Sequence, residues 1–186
     1  MNKAGIWALL LLFLTGCSGS TKEMDKGLEF RSKLLQANEV CFVAKITADY
    51  GDKVYEFSMD CQADGKGDMT FTVTAPETIA GITGCITEDG GKLTFDDIAL
   101  HIELLTDDQL SPVSAPWIFL KTLRSGYLTS AGMDGEYIRL TIDDSYEDDA
   151  LQLDIWINDQ NLPERVEILY EGRNILSLVV SNFKIG

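Results

Sequence analysis

The chain has 186 residues, of which 45% are hydrophobic and 24% are charged. Its 30 acidic residues outnumber 15 basic ones, and the net charge of −15 excludes a role in binding the phosphate backbone of nucleic acids. The composition is that of a globular protein. If Cys17 is modified, Cys41, Cys61 and Cys85 allow at most one disulfide, which excludes a disulfide scaffold.

The N-terminus has the pattern of an exported lipoprotein. Lys3 precedes an apolar stretch at 4–14, which is too short to cross a bilayer core of roughly 30 Å. The sequence at 14–17, Leu-Thr-Gly-Cys, resembles the bacterial lipobox. That resemblance implies a signal peptide at 1–16, cleavage before Cys17 and a diacylglyceryl lipid on its sulfur. The alternative is an ordinary secretory signal with an incidental cysteine.

The segment after the cysteine is polar and without periodicity, and it predicts a flexible tether at 17–23. The lipid on Cys17 would then hold the protein at the membrane, on its extracytoplasmic side. Residues 24–186 are predicted to form a single domain, which opens with a helix whose candidate cap is Asp25.

A β-hairpin is predicted after this helix, because apolar and polar residues alternate on both sides of a turn at Gly51-Asp52. A two-residue turn there sets Ile46 opposite Phe57 and Ala44 opposite Met59. One face of the hairpin is then apolar and the other mostly polar, as in an antiparallel sheet with one solvated side.

The same register decides the fate of the cysteines. It places Cys61 beside Phe42 on the buried face and sends Cys41 to the opposite face, so no bridge between the two cysteines is expected. Cys61 and Cys85 are predicted to be reduced and buried, and Cys41 to be the more reactive thiol.

Further alternating segments follow to the end of the chain. The fold class predicted is α+β, mainly antiparallel β, with a curved sheet or incomplete barrel of about ten strands, an N-terminal helix and a mid-chain lid helix. The later strands are expected at 69–75, 79–87, 92–95, 98–104, 127–131, 137–142, 151–157, 166–170 and 175–183.

The mid-chain helix is predicted within 111–126, with Ser114 as a cap, Pro116 in its first turn and Gly126 as its stop. Its side chains are apolar on more than one side, so it must be buried nearly all round. It therefore lies inside the curve of the sheet or shares an apolar cleft with another element.

This order of elements resembles the LolA/LolB lipoprotein-carrier superfamily, including LppX-like lipid carriers and GerS-type spore-germination lipoproteins. The features that carry the resemblance are the opening helix and hairpin, the strand ending in Ala75-Pro76, the mid-chain helix and Leu162-Pro163 before a closing hairpin. The carriers imply an incomplete barrel around a hydrophobic cavity with helices as its lid. The GerS-type relatives imply a protein-binding role.

No catalytic or metal-binding motif is found. His101, the only histidine, falls on the polar face of its strand, and one histidine cannot supply a triad and a zinc site. Paired acids at 96–97, 107–108, 143–144 and 148–149 are interpreted as charged turns. The segment 64–68 resembles a calcium loop only in part, because Ala75 stands where the loop needs a glutamate. We expect neither an enzyme nor a cofactor.

Two functions remain open. The protein binds a lipid or another hydrophobic ligand in a cavity, or it is a scaffold that docks another protein of the cell envelope. The cavity is predicted between the mid-chain helix and the third strand, and its candidate lining residues are Trp117, Phe119, Leu120, Met69, Phe71 and Val73.

Overall fold

The computed structural model describes residues 20–95, 98–102, 105–106, 109–147 and 150–186. The predicted signal peptide, Cys17 and the acid pairs at 96–97, 107–108 and 148–149 lie outside the described residues. No helix in the part of the chain that is described is long and apolar enough to span a membrane.

The described residues contain two α-helices, α1 (Ser20–Gln36) and α2 (Ala115–Ser125), with a 3-10 helix at Pro112–Ser114 leading into α2. The strands are β1 (Glu39–Asp49), β2 (Val54–Asp64), β3 (Met69–Ala75), β4 (Thr83–Thr87), β5 (Gly90–Phe95), β6 (Ile98–Ile102), β7 (Leu105–Thr106), β8 (Gln109–Leu110), β9 (Tyr127–Asp134), β10 (Tyr137–Asp143), β11 (Gln152–Ile157), β12 (Pro163–Tyr170) and β13 (Arg173–Ile185).

Eleven of these strands form one antiparallel sheet in the order β6-β5-β4-β3-β2-β1-β13-β12-β11-β10-β9, and β7 pairs with β8 separately. The sheet is curved and does not close, so β6 and β9 are its two edges. An antiparallel curved sheet with an N-terminal and a mid-chain helix confirms the predicted fold class.

The register of the β1–β2 hairpin is confirmed. Ala44 pairs with Met59 and Ile46 with Phe57, and the loop closes with a hydrogen bond from the Tyr50 N–H to the Lys53 carbonyl at 3.0 Å. Alternate residues from Val40 to Ala48 and from Phe57 to Ala63 are buried on the face that the helices cover, which we call the inner face, whereas Tyr55 at the start of β2 is 48% exposed. The opposite face is the outer face.

The inner face and the two helices enclose one hydrophobic core, because the alternating apolar residues of the strands meet the apolar sides of both helices. The largest fully buried side chains are Phe30, Leu34, Ile46, Met59, Met69, Ile86, Phe119, Leu123, Leu140, Ile142, Leu153 and Ile155.

The start of the first helix was predicted wrongly. The helix already includes Ser20, the first described residue, so residues 20–23 of the predicted tether are helical and Asp25 is not its cap. After Gly19 no glycine or proline interrupts the chain until Gly27, and Glu23 lies in the first turn, where the helix dipole favours an acid. Gly27 lets the helix approach the sheet closely, because a larger residue there would place its Cβ only 2.9 Å from a methyl group of Leu140.

The predicted strand at 79–87 is shorter in the structure and begins at Thr83. Gly81 has a φ of +91°, in the left-handed region, and its N–H bonds to the Val73 carbonyl at 2.9 Å, so residues 76–81 make a turn instead of extending the strand. The following turn is at 88–89, and β5 therefore begins at Gly90. The short β7–β8 pair was not predicted.

Candidate functional site

The mid-chain helix forms where the sequence predicts it. Pro116 occupies its first turn, the helix ends at Ser125, and Gly126 follows with its N–H bonded to the Thr122 carbonyl at 2.7 Å. Residues 115–120, 122 and 123 are all buried. This confirms a helix that is covered on nearly every side.

Polar contacts fasten α2 to the turn between β2 and β3. The Trp117 indole N–H donates to the Gly67 carbonyl at 3.1 Å, and the Arg124 guanidinium donates to the Asp64 carbonyl at 3.2 Å. The ammonium of Lys121 lies 4.8 Å from the centre of the Trp117 ring. Burial lowers the pKa of Arg124, and the nearby carboxylate of Asp64 opposes that shift.

A second contact fastens α2 to α1. The Arg31 Nε donates to the Leu123 carbonyl at 2.8 Å, near the end of α2, where a cation also complements the helix dipole. Burial lowers the pKa of Arg31. The mid-chain helix is therefore held at both sides, by α1 and by the β2–β3 turn.

The structure brings all six predicted cavity residues into one cluster. Trp117, Phe119, Leu120, Met69, Phe71 and Val73 belong to the same hydrophobic core, and none of them is more than 5% exposed. The Phe119 ring packs edge-on against Phe42, with 5.9 Å between the ring centres. Side chains thus fill the space between α2 and the sheet, and a ligand could enter only by moving them apart.

Gly84 allows the Phe71 ring to pack closely against β4. An added Cβ at Gly84 would clash with the Phe71 ring and would lie 2.8 Å from the Lys92 carbonyl. The sequence predicts a bend or a close approach from the two glycines of this segment, and the structure shows a turn at Gly81 and a close approach at Gly84.

The inner face continues beyond the helices at the β5–β6 edge. Directly opposed residues of antiparallel strands share a face. Phe71 pairs with Gly84, Gly84 with Leu93, and Leu93 with Leu100. The pair Phe95–Ile98 lies two residues further along the same strands. These residues therefore extend the apolar inner face.

Three side chains of this extension are uncovered: Phe95 is 47% exposed, Ile98 64% and Leu100 60%. We call these three residues the apolar wing. They expose on the order of 300 Å² of apolar surface, the size at which a patch on a monomer is often functional. Leu93, partly buried, joins the wing to the core. The alternation of β6 is visible in the sequence, but its lack of cover is not.

His101 and the acidic residues were the other sequence candidates for reactive chemistry. His101 is exposed on the outer face, as predicted, and it pairs with Lys92. In the described ranges, no group of three or more histidine, cysteine, aspartate or glutamate residues is placed to hold a metal ion.

The three described cysteines are free thiols. The predicted placement of two of them is confirmed, since Cys61 pairs with Phe42 and is buried, while Cys41 pairs with Gln62. Burial raises the pKa of both thiols, and Glu39 raises that of Cys41 further. Cys85 is only partly buried, because it faces outward on β4, so its predicted burial is incomplete.

No protein-family model and no curated protein sequence matches the chain.

Among solved structures, the chain is similar to a chain in the structure of the CwlD amidase from Clostridioides difficile in complex with the GerS lipoprotein. The two chains are 11% identical over 93% of this chain and 100% of that chain, with a TM-score of 0.48. A LolA superfamily protein from Nitrosomonas europaea has 10% identity over 86% and 93% of the two chains, with a TM-score of 0.44. The lipoprotein LppX of Mycobacterium tuberculosis is 12% identical over 87% of this chain and 93% of its own, with a TM-score of 0.42. The likeness concerns the fold alone.

Proposed function

We propose that the protein is a non-enzymatic binding protein of the cell envelope, anchored by a lipid on Cys17, which takes up a hydrophobic ligand on the apolar wing. The observation that carries this proposal is the exposure of Phe95, Ile98 and Leu100 on the same face of the sheet that elsewhere forms the core. An acyl chain or a similar apolar group would bury them without displacing packed side chains.

The wing is a better site than the interface between α2 and the sheet. Binding at Trp117, Phe119 and Leu120 remains a prediction that requires the helix to move away from the sheet. Such movement would break the contacts of α2 with Gly67, Asp64 and Arg31. At the wing, the apolar surface is already available.

The position of α1 orients the wing relative to the anchor. Because the helix begins at Ser20, the chain between Cys17 and the helix can span at most about 10 Å. Along α1, Gly27 packs against Leu140 and Leu128, next to the β9 edge. The wing is at the β6 edge, ten strands away in the order of the sheet. A ligand on the wing would therefore bind at the end of the sheet opposite to the one that the tethered helix covers.

The second candidate is the scaffold, which docks another envelope protein. The filled interface between α2 and the sheet favours it, since a plugged sheet has no interior volume to offer a lipid. In that case the wing would be a contact surface for the partner protein.

Binding of a fluorescent fatty acid to the unlipidated chain from Ser18 onward tests the proposal. The double variant Ile98→Ser/Leu100→Ser removes the apolar wing, while Ala99→Ser/His101→Ser changes the same strand on its outer face. We expect saturable binding by the wild type, a loss of at least about tenfold in affinity in the wing variant, and unchanged affinity in the control. No saturable binding by the wild type would favour the scaffold, and equal losses in both variants would exclude the wing as the site.

A further inference from the structure

The outer face of the sheet, opposite to the face that carries the apolar wing, has a cavity of its own. A cavity of about 580 Å³ opens at the ends of β9 to β12 and is lined mainly by Asp134, Glu136, Tyr137, Trp156, Glu164 and Arg165. We call it the outer cavity. A neighbouring recess of about 420 Å³ shares Glu136, Tyr137 and Glu164 with it and adds Asn158 and Asp159.

Trp156 is the floor of the outer cavity. It belongs to the solvated face of the sheet and not to the hydrophobic core, yet it is only 6% exposed. The Arg165 guanidinium lies 4.1 Å from its ring centre and that of Arg139 lies 5.9 Å away. Its indole N–H donates to Asp134 at 2.8 Å. The indole is therefore fixed in position, unlike an ordinary surface side chain.

The acidic groups of the outer cavity are held by neutral donors. The Glu164 carboxylate accepts hydrogen bonds from the Tyr137 hydroxyl at 3.2 Å and from the Asn158 amide at 2.7 Å. Asp134 is held by the indole. Neutral donors orient a carboxylate without cancelling its charge, so the cavity keeps a negative potential.

The cations beside the cavity are already paired. Arg165 forms an ion pair with Glu167, and the Nε of Arg139 lies 3.6 Å from Asp154. Within the described part of the chain, neither Asp134 nor Glu164 takes part in an ion pair. The negative potential also acts on the Tyr137 hydroxyl. Its pKa is raised, and the largest cause is the charge of Glu164.

We propose that the outer cavity is a docking site for a lysine or arginine side chain presented by a protein partner. The carboxylates supply the complementary charge, and Tyr137 and Val179, which line the cavity together with the nearly buried Trp156, supply apolar surface for the methylene stem of such a side chain. The rim favours a protein over a small cation, since Val179, an apolar residue that lines the cavity, is 59% exposed. The net charge of −15 would steer a basic partner towards this chain.

The site is independent of the proposed ligand site. Val179 faces outward between Leu178 and Val180, which are buried in the core, so the sheet itself separates the outer cavity from the inner face. If fatty acids do not bind at the wing, the proposal for the outer cavity is unaffected. If cationic peptides do not bind at the outer cavity, the proposal for the wing is unaffected.

The test is an NMR titration of the full chain in detergent micelles, in which the indole N–H signals of Trp156 and Trp117 are followed. The probes are the peptide amides Gly-Arg-Gly, Gly-Lys-Gly and Gly-citrulline-Gly, the last being the neutral analogue of the arginine peptide. We expect the cationic peptides to shift the Trp156 signal saturably, the citrulline peptide to leave it unchanged, and the Trp117 signal to stay in place with all three.

Matched variants separate docking from general attraction to an acidic protein. Glu164→Gln removes the charge, keeps an oxygen that accepts from Asn158 and presents an amide N–H to the Tyr137 oxygen, which can accept it. It should weaken binding of the arginine peptide at least about fivefold, as should Asp134→Asn. Glu77→Gln removes an exposed carboxylate from the turn after β3 and should change the affinity less than twofold. An unmoved Trp156 signal, equal shifts at both indoles, equal binding of the citrulline peptide or equal losses in all three variants would overturn the proposal.

Discussion

The indole N–H of Trp117 bonds to the carbonyl of Gly67 at 3.1 Å, across 50 residues of sequence. This bond joins the mid-chain helix to the turn between the second and third strands, and the ring it belongs to is only 5% exposed. The helix is therefore fixed to the rim of the sheet by a buried aromatic residue.

Replacing Trp117 measures how completely the inner face is filled. Trp117→Ala should lower the free energy of unfolding by about 3–5 kcal/mol, because a cavity opens in a packed core. Trp117→Phe keeps most of the volume and should cost about 1 kcal/mol for the lost hydrogen bond. Urea titration checks both values. A loss below about 1.5 kcal/mol for Trp117→Ala would mean that the pocket is loosely packed, as a ligand cavity would be.

Gly84→Ala tests the contact between β3 and β4. The added methyl group meets the Phe71 ring and the Lys92 carbonyl, so we expect a destabilisation of about 1–3 kcal/mol. Gly132→Ala is the matched control, because nothing lies within 4 Å of a Cβ built there. It should be neutral or slightly stabilising. Thermal unfolding of the two variants compares them, and equal effects would argue against the packing of Phe71 on Gly84.

These elements show how far local sequence information reaches. The β1–β2 register could be predicted because a two-residue turn and a strict alternation both specify it. The pairing of Trp156 with Asp134 could not, because it joins residues 22 positions apart on strands whose register depends on the whole sheet. The alternation of β11 indicates a strand, but it gives no reason to expect a buried tryptophan on the outer face.

For the candidate site, the sequence predicted which residues lie together but not whether the space between them is open. Periodicity places the six residues on facing surfaces, and the structure brings them into one cluster. Whether that cluster is open or filled depends on how closely α2 approaches the sheet, and contacts with Gly67, Asp64 and Arg31 decide this distance. The uncovered wing follows from the same placement, since α2 fills the middle of the inner face and leaves Ile98 and Leu100 exposed.

The carboxylate of Asp64 should make stability depend on acid pH. Burial raises its pKa, but hydrogen bonds from the backbone N–H groups of Lys66, Gly67 and Asp68, at 2.8, 2.9 and 3.1 Å, lower the pKa by more. A lowered pKa in the folded state stabilises the fold above the ordinary value of about 3.9, and this contribution is lost as the pH falls through the folded-state pKa.

Asp64→Asn should therefore reduce the change of unfolding free energy between about pH 5 and pH 2, since the amide does not titrate in that range. Its oxygen can still accept the three hydrogen bonds, so the variant should remain folded at neutral pH. Denaturant titrations at a series of pH values provide the comparison. If the curves of the wild type and the variant run parallel, the turn does not depend on the charge of Asp64.

The thiols should react in an order set by burial. Burial raises the pKa of Cys61 strongly, and the thiolate is the reactive form, so Cys61 should be labelled only when the chain unfolds. Cys41 lies on the outer face, but its own raised pKa should make it slower than a free cysteine. Labelling with iodoacetamide at pH 8 followed by peptide mass spectrometry measures each rate. Rapid labelling of Cys61 in the native protein, or a bridge between Cys61 and Cys41, would contradict the observed register.

The anchor is tested by Cys17→Ala, with Cys41→Ala as the control. We expect the Cys17 variant to lack the lipid and to appear as unprocessed precursor or released protein, because cleavage at a lipobox depends on the modified cysteine. Two acyl chains give stable membrane binding, at about 0.8 kcal/mol per buried CH₂ group, so the wild type and Cys41→Ala should partition into the detergent phase of a Triton X-114 extract. Mass spectrometry of the N-terminal peptide identifies the modification itself. If Cys17→Ala protein from which residues 1–16 have been removed still enters the detergent phase as the control does, the protein is held at the membrane by something other than Cys17. The proposed orientation of the wing, which depends on a lipid only a few residues before Ser20, would then fail with it.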